Sequence, residues 1–155
     1  MEFRIPFNNR AHSFTEDEIA IATTAMRDAN PLTQGKYLRE FEGKFCLYID
    51  APYSFAVCNA TAALEMAAQL SCFQEGDEII IPSHTFTSSA YPFAKNGVKI
   101  VWADIDSETR VVTPSTLENL ITPKTKAIVV VHLYGYGADM VEIMRIAGHH
   151  NLLVI

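Results

Sequence analysis

Residues Ser54–Cys72 read SFAVCNATAALEMAAQLSC, and the fold turns on how this stretch divides. Its opening, Phe55-Ala56-Val57-Cys58, is a short apolar run that fits a buried strand. Asn59-Ala60-Thr61 is a small polar turn, after which Ala63, Leu64, Met66, Ala67 and Leu70 recur at helical spacing among strong helix formers. A strand that turns into a helix through small residues leaves backbone N–H groups free at the helix start. With the helix dipole, those groups make a seat for a phosphate. An ordinary junction capped by Asn59 or Thr61 fits the same spacing.

Toward the N-terminus, the first dozen residues read as an irregular arm, drawn at about residues 1–14. Thr15 followed by Glu18 is a capping-box pattern, and Ile19, Ile21, Ala22 and Met26 give an apolar face up to about Ala29, where Asn30-Pro31 stops the helix. Leu38, Phe41, Phe45 and Tyr48 predict a second amphipathic helix over about Lys36–Tyr48. Asp50-Ala51-Pro52 turns the chain into the opening stretch.

Toward the C-terminus the pattern alternates. Gln74-Glu75-Gly76-Asp77 is turn chemistry, and Glu78–Ile81 is a strand closed by Pro82. A helix over Thr87–Lys95 with an Asn96-Gly97 stop precedes a strand over Val98–Trp102. Thr113-Pro114-Ser115 opens a short helix to about Ile121, Lys126–Val131 is a β-branched strand, Ala138–His149 is helical, and Leu152–Ile155 begins one more strand. Five short apolar strands alternating with helices predict an α/β fold in three layers, a mostly parallel sheet covered on both faces. Ligands of such sheets bind outside the carboxyl ends of the strands, so a site residue is expected next after Ile155.

Composition narrows the function classes. At 155 residues the chain is long enough for one domain with a core. An apolar fraction of 49% with 19% charged residues is that of a globular chain. Twelve basic against eighteen acidic residues give a net charge of −6, without a basic cluster, which argues against nucleic acid or an anionic membrane as partner. No apolar run reaches bilayer length, and MEFRIPFNNR has no signal-peptide core. Cys46, Cys58 and Cys72 form an odd set without metal spacing and read as small core hydrophobes in a reducing compartment, so the expected location is cytoplasmic.

Several segments together resemble the N-terminal half of the DegT/DnrJ/EryC/StrS sugar-nucleotide aminotransferases. They are Gln34-Gly35-Lys36-Tyr37 with Phe41-Glu42, Asn59–Met66, Gly76–Pro82, Thr85-Phe86-Thr87, Asp104-Ile105-Asp106, Ile121–Ile128 and Val131–Gly135. They run in the family's order and spacing from about Ile5 to the last residue. The resemblance implies pyridoxal 5′-phosphate as cofactor and a fold type I aminotransferase, of which residues 1–155 would be a truncated large domain. It implies that Ala60, Thr61 and Ala62 hold the cofactor phosphate through backbone N–H groups and the Thr61 hydroxyl, and that Phe86 stacks on the pyridine ring. Where the family usually carries Gly this chain has Ala60, which is tolerable unless the backbone needs φ > 0. Core packing is the alternative reading of Phe86.

The same resemblance places the carboxylate that holds the pyridine nitrogen, and the Schiff-base lysine, beyond Ile155. Lys36, Lys44, Lys95, Lys99, Lys124 and Lys126 match no Schiff-base motif, so no catalytic residue is expected within the chain and the chain alone is expected to be inactive. The implied substrates are a nucleotide-linked 4-keto or 3-keto-6-deoxyhexose, with the arm Ile5-Pro6-Phe7-Asn8 and Leu64-Glu65-Met66 pointing to a thymidine diphosphate sugar of surface polysaccharide synthesis, and glutamate as amino donor. The implied assembly is a homodimer, or a pairing with a missing second half. A non-catalytic binding or dimerisation module is the alternative. A nicotinamide-dependent domain is a weaker one, because no G-x-G-x-x-G follows the first strand.

Other polar residues read as structural. His132 ends a strand and is at least as well explained by a hydrogen bond there as by a site role. His149-His150 suit a helix C-terminus better than a metal. Asp104 and Asp106 read as an Asx turn rather than an acid–base pair, and Asp17 and Glu18 as solvated caps.

Overall fold

The computed structural model describes residues 13–155; the arm expected at 1–14 lies outside them except for Ser13 and Phe14. The chain divides into two compact units, one ending at Ala56 and one spanning Val57–Ile155.

Among its described residues the first unit carries two helices. α1 (Glu16–Asp28) starts at the capping box the sequence predicts, with the Glu18 N–H donating to Thr15 Oγ1 at 3.3 Å and the Thr15 N–H to Glu18 Oε2 at 2.7 Å. Glu16, Asp17 and Glu18 in its first turn and Arg27 in its last suit the helix dipole. α2 (Lys36–Ile49) begins after Gly35, where an added Cβ would stand 2.5 Å from the Pro31 carbonyl oxygen. Only glycine admits that approach. The helix ends at Asp50 in the left-handed region.

The strand expected at Phe55–Cys58 does not form. The run pairs with no other strand among the described residues, the Ala56 N–H donates to Glu42 Oε1 at 2.9 Å instead, and Phe55 is exposed. An apolar run becomes a strand only when a ladder partner meets its backbone groups, and here a side chain takes that donor. Among the described residues, four strands therefore stand where five were expected.

The second unit is a parallel sheet between helices. α3 (Ala60–Leu70) leads to β1 (Glu78–Pro82), then α4 (Tyr91–Lys95), β2 (Lys99–Ala103), α5 (Pro114–Glu118), β3 (Thr125–Ile128), α6 (Met140–His150) and β4 (Leu153–Val154). The order across the sheet is β2-β1-β3-β4, all parallel, with Ile80 facing Val101 on one side and Ile128 on the other. Period two splits the strands between two cores. Ile79 and Ile81 pack with Ala68 of α3 and Phe93 of α4, while Ile80 and Ile128 pack with Leu117 of α5 and Ile143 of α6. This is the three-layer α/β architecture the alternation predicts. Pairing outruns the helical and strand limits, since Val129 donates to the Ile80 carbonyl and Val130 to that of Ile155.

The helix expected over Thr87–Lys95 is broken into a 3-10 turn at Thr87–Ser89 and α4. Pro92 lacks an N–H and fits only the first turn of a helix, so the helix restarts beside it. The cysteines are not core residues: Cys46 is half-buried, and Cys58 and Cys72 are exposed. Cys72 sits in a left-handed turn at φ 50°, outside both cores.

Candidate functional site

Topology locates the site before any side chain does. From β1 the chain crosses to β2 on one side, then returns to β3 on the other, so β1 and β3 flank the switch point. Ligands of open α/β sheets bind in the crevice at such a point, outside the carboxyl ends of the strands. The loops there are Ser83–Phe86 after β1 and Val129–Gly135 after β3. His84 and Tyr134 meet across the gap, their ring centroids 6.1 Å apart in an edge-to-face arrangement.

α3 points its N-terminus at that same edge. Its C-terminal end, Ser71 and Cys72, lines one cleft with Asp77 and Lys126, which stand at the amino ends of β1 and β3. Eleven residues of helix rise about 16 Å, and five residues of strand cover about 16 Å. The start of α3 is thus level with the carboxyl ends of the strands. α3 also packs on the 3-10 turn that follows Phe86.

Asn59 is the N-cap, its Oδ1 accepting from the Ala62 N–H at 2.8 Å. The junction reading and the anion reading of this turn are therefore compatible: the cap uses the third amide, and the Ala60 and Thr61 amides have no acceptor in the helix. Ala60 opens α3 and is not among the positive-φ residues, so the alanine at this position carries no strain. No acidic residue occupies the first turn. Two free amides, the Thr61 hydroxyl and the helix dipole fit a phosphate.

Phe86 is 76% exposed and belongs to neither core of this chain. Its loop is braced by the Thr85 and Ser89 hydroxyls, 2.7 Å apart. A free aromatic face on a braced loop, on the side of the sheet that α3 covers, fits a planar heterocycle whose phosphate sits at the helix start. The donor set and the ring together suit the pyridoxal phosphate that the resemblance implies.

The remaining candidates are structural. His132 Nδ1 accepts from the Ala138 N–H at 3.1 Å, tying the loop after β3 to the start of α6. His149 and His150 end α6 with rings 4.9 Å apart, and no group of metal-ligating side chains occurs among the described residues. Asp106 Oδ1 accepts from the Glu108 and Thr109 N–H groups and from the Thr109 hydroxyl. Those bonds, Thr109's first, hold its carboxyl below the usual range. No described helix is long and apolar enough to cross a membrane.

Sequence reasoning missed His84 and Tyr134. Tyr134 lies within the segment Val131–Gly135 that carries the resemblance but has no role assigned there, and His84 has only its position two residues past β1; which two strands flank the switch point is set by sheet order, which periodicity does not carry.

Comparison with known proteins gives a consistent result. The DegT/DnrJ/EryC1/StrS aminotransferase family matches residues 13–155. The GDP-perosamine synthase of Escherichia coli O157:H7 is 39% identical over 123 residues, which are 79% of this chain and 34% of that protein. Among solved structures, the aminotransferase from Psychrobacter cryohalolentis superposes with a TM-score of 0.85 at 37% identity, covering 96% of this chain and 38% of that one. The protein ntda from Bacillus subtilis, solved with bound cofactor PMP, gives 0.82 at 31% identity, covering 90% and 33%. The chain thus spans about a third of the length of the proteins it matches.

Proposed function

This chain belongs to the DegT/DnrJ/EryC1/StrS aminotransferase family, whose members bind pyridoxal phosphate, and from that premise we propose that it forms the phosphate-holding part of a sugar aminotransferase. The observation that carries the proposal is the start of α3, with two free amides and a threonine hydroxyl, on a helix that packs against the turn following the exposed ring of Phe86. When bound, pyridoxal phosphate supplies the electron sink for amino-group transfer. The Ala60 and Thr61 amides and the Thr61 hydroxyl would hold the phosphate, while Ala62, bonded to Asn59, keeps that first turn in shape. Phe86 would stack on the cofactor ring. No residue of the chain is assigned proton transfer.

The proposed reaction turns a nucleotide-linked 4-keto or 3-keto-6-deoxyhexose into an amino sugar, with glutamate as donor, in a homodimer or other two-subunit assembly. Residues 1–155 would be the first part of the large domain, so the whole activity is proposed for a protein of the relatives' length. The arm pointed to a thymidine diphosphate sugar, whereas the Escherichia coli relative is a GDP-perosamine synthase, so both bases belong in the test. Offered GDP- and dTDP-linked keto-6-deoxyhexoses with glutamate and pyridoxal phosphate, such a protein is expected to form one amino sugar per 2-oxoglutarate. No amino sugar from any of them would refute the reading.

A further inference from the structure

Phe86 also lines a cavity of about 310 Å³, together with residues of α4 and the outer strand β2. Three aromatic rings converge on it: Phe86, Tyr91 of α4 and Trp102 of β2, each more than half exposed. Ala94, Ser83 and Thr87 also line it. No acidic or basic residue lines it, since the neighbouring Lys95 is committed to Glu65 at 3.0 Å.

We infer that this cleft takes the nucleobase of the nucleotide-linked sugar. The inference rests on the sugar-nucleotide reading above and adds a recognition site to it. A cleft without charge does not suit the diphosphate, which finds its complement at free amides and helix starts. Thr85 spends its hydroxyl on Ser89, but the Ser83, Thr87 and Tyr91 hydroxyls remain, so a hexose is the alternative occupant that the test must exclude. What the cleft offers is aromatic faces for stacking and hydroxyls for hydrogen bonds, the means by which a neutral planar base is held. Phe86 joins the two sites, being a wall of this cleft and the ring assigned to the cofactor.

Trp102 is the only tryptophan of the chain, so its fluorescence reports this cleft alone. GDP and dTDP serve as probes, with a methyl 6-deoxyhexoside as control. The expected result is saturable quenching by at least one nucleotide and none by the hexoside. Tyr91→Ala and the cleft-filling Ala94→Leu should each weaken it about tenfold, as loss of a base stack does. Circular dichroism establishes that both variants fold, and the second keeps the test open should the first not. Thr61→Val should leave the quenching within twofold while it lowers binding of pyridoxal phosphate, which separates failure of the cleft from failure of the phosphate seat. Quenching by the hexoside alone, no saturable quenching by either nucleotide, or quenching indifferent to both cleft variants overturns the inference.

Discussion

Glu78 is the residue on which the amino ends of three segments converge. Its side chain is buried, with Lys99 Nζ of β2 at 2.7 Å from Oε1 and the Thr122 hydroxyl donating to Oε2 at 2.6 Å. A buried carboxylate is retained only when its lone pairs are met, and here a cation and a hydroxyl meet them. The Lys99 bond, then the Thr122 bond, pull its pKa below the ordinary 4.5 against the opposing effect of burial. A carboxyl whose folded pKa is depressed adds stability above its unfolded pKa and loses it as the pH falls through the folded one. Chemical denaturation should therefore show stability falling below about pH 4.5. Glu78→Gln should be less stable at neutral pH and flatter in acid, with Asp106 leaving a residual slope of the same sign. A variant as stable as the parent at pH 7, with an unchanged acid slope, would show that the cluster is inert.

At the scale of elements, α3 depends on Asn59, which supplies its only side-chain cap bond. Asn59→Ala should cost about 0.5–2 kcal/mol of stability. It should also fray the first turn, read as faster hydrogen exchange at Ala62 and Ala63; unchanged exchange there would mean the cap is dispensable. Elements whose signals are local were legible in the sequence: the Thr15–Glu18 capping box, the β-branched run of β3 and the proline that opens α5. Elements that depend on a distant partner were not. Phe55–Cys58 has the composition of a strand but no ladder, and Thr87–Lys95 has helical composition but is reset at Pro92. The site divides in the same way. The turn Asn59–Ala62 was readable from the small residues themselves, and Phe86 only through resemblance. His84 and Tyr134 needed sheet order.

At the scale of the molecule, the two units differ in how they are packed. Between Val57 and Ile155 two cores enclose the sheet, with Ile79, Ile80, Ile81, Phe93 and Ile128 fully buried. In the other unit neither α1 nor α2 buries a residue, and Met26, Leu47 and Tyr48 are 72%, 85% and 86% exposed. Apolar surface of that extent mediates association. The 155-residue chain is expected to sediment as dimers or larger species and to bind a hydrophobic dye; a monodisperse monomer with one sharp unfolding transition would contradict this.

Whether the start of α3 seats the cofactor phosphate is decided by a phosphorus NMR titration of pyridoxal phosphate with the chain. The account predicts weak but saturable binding, of order 1 mM or about 4 kcal/mol, because only the phosphate and one ring face are held. One charge-assisted hydrogen bond is worth about 1.5–3 kcal/mol, so Thr61→Val should weaken binding about tenfold or more. Phe86→Ala should cost less, about 0.5–1.5 kcal/mol. A Thr61→Val chain that shifts the phosphorus signal with the parent's affinity would contradict the claim.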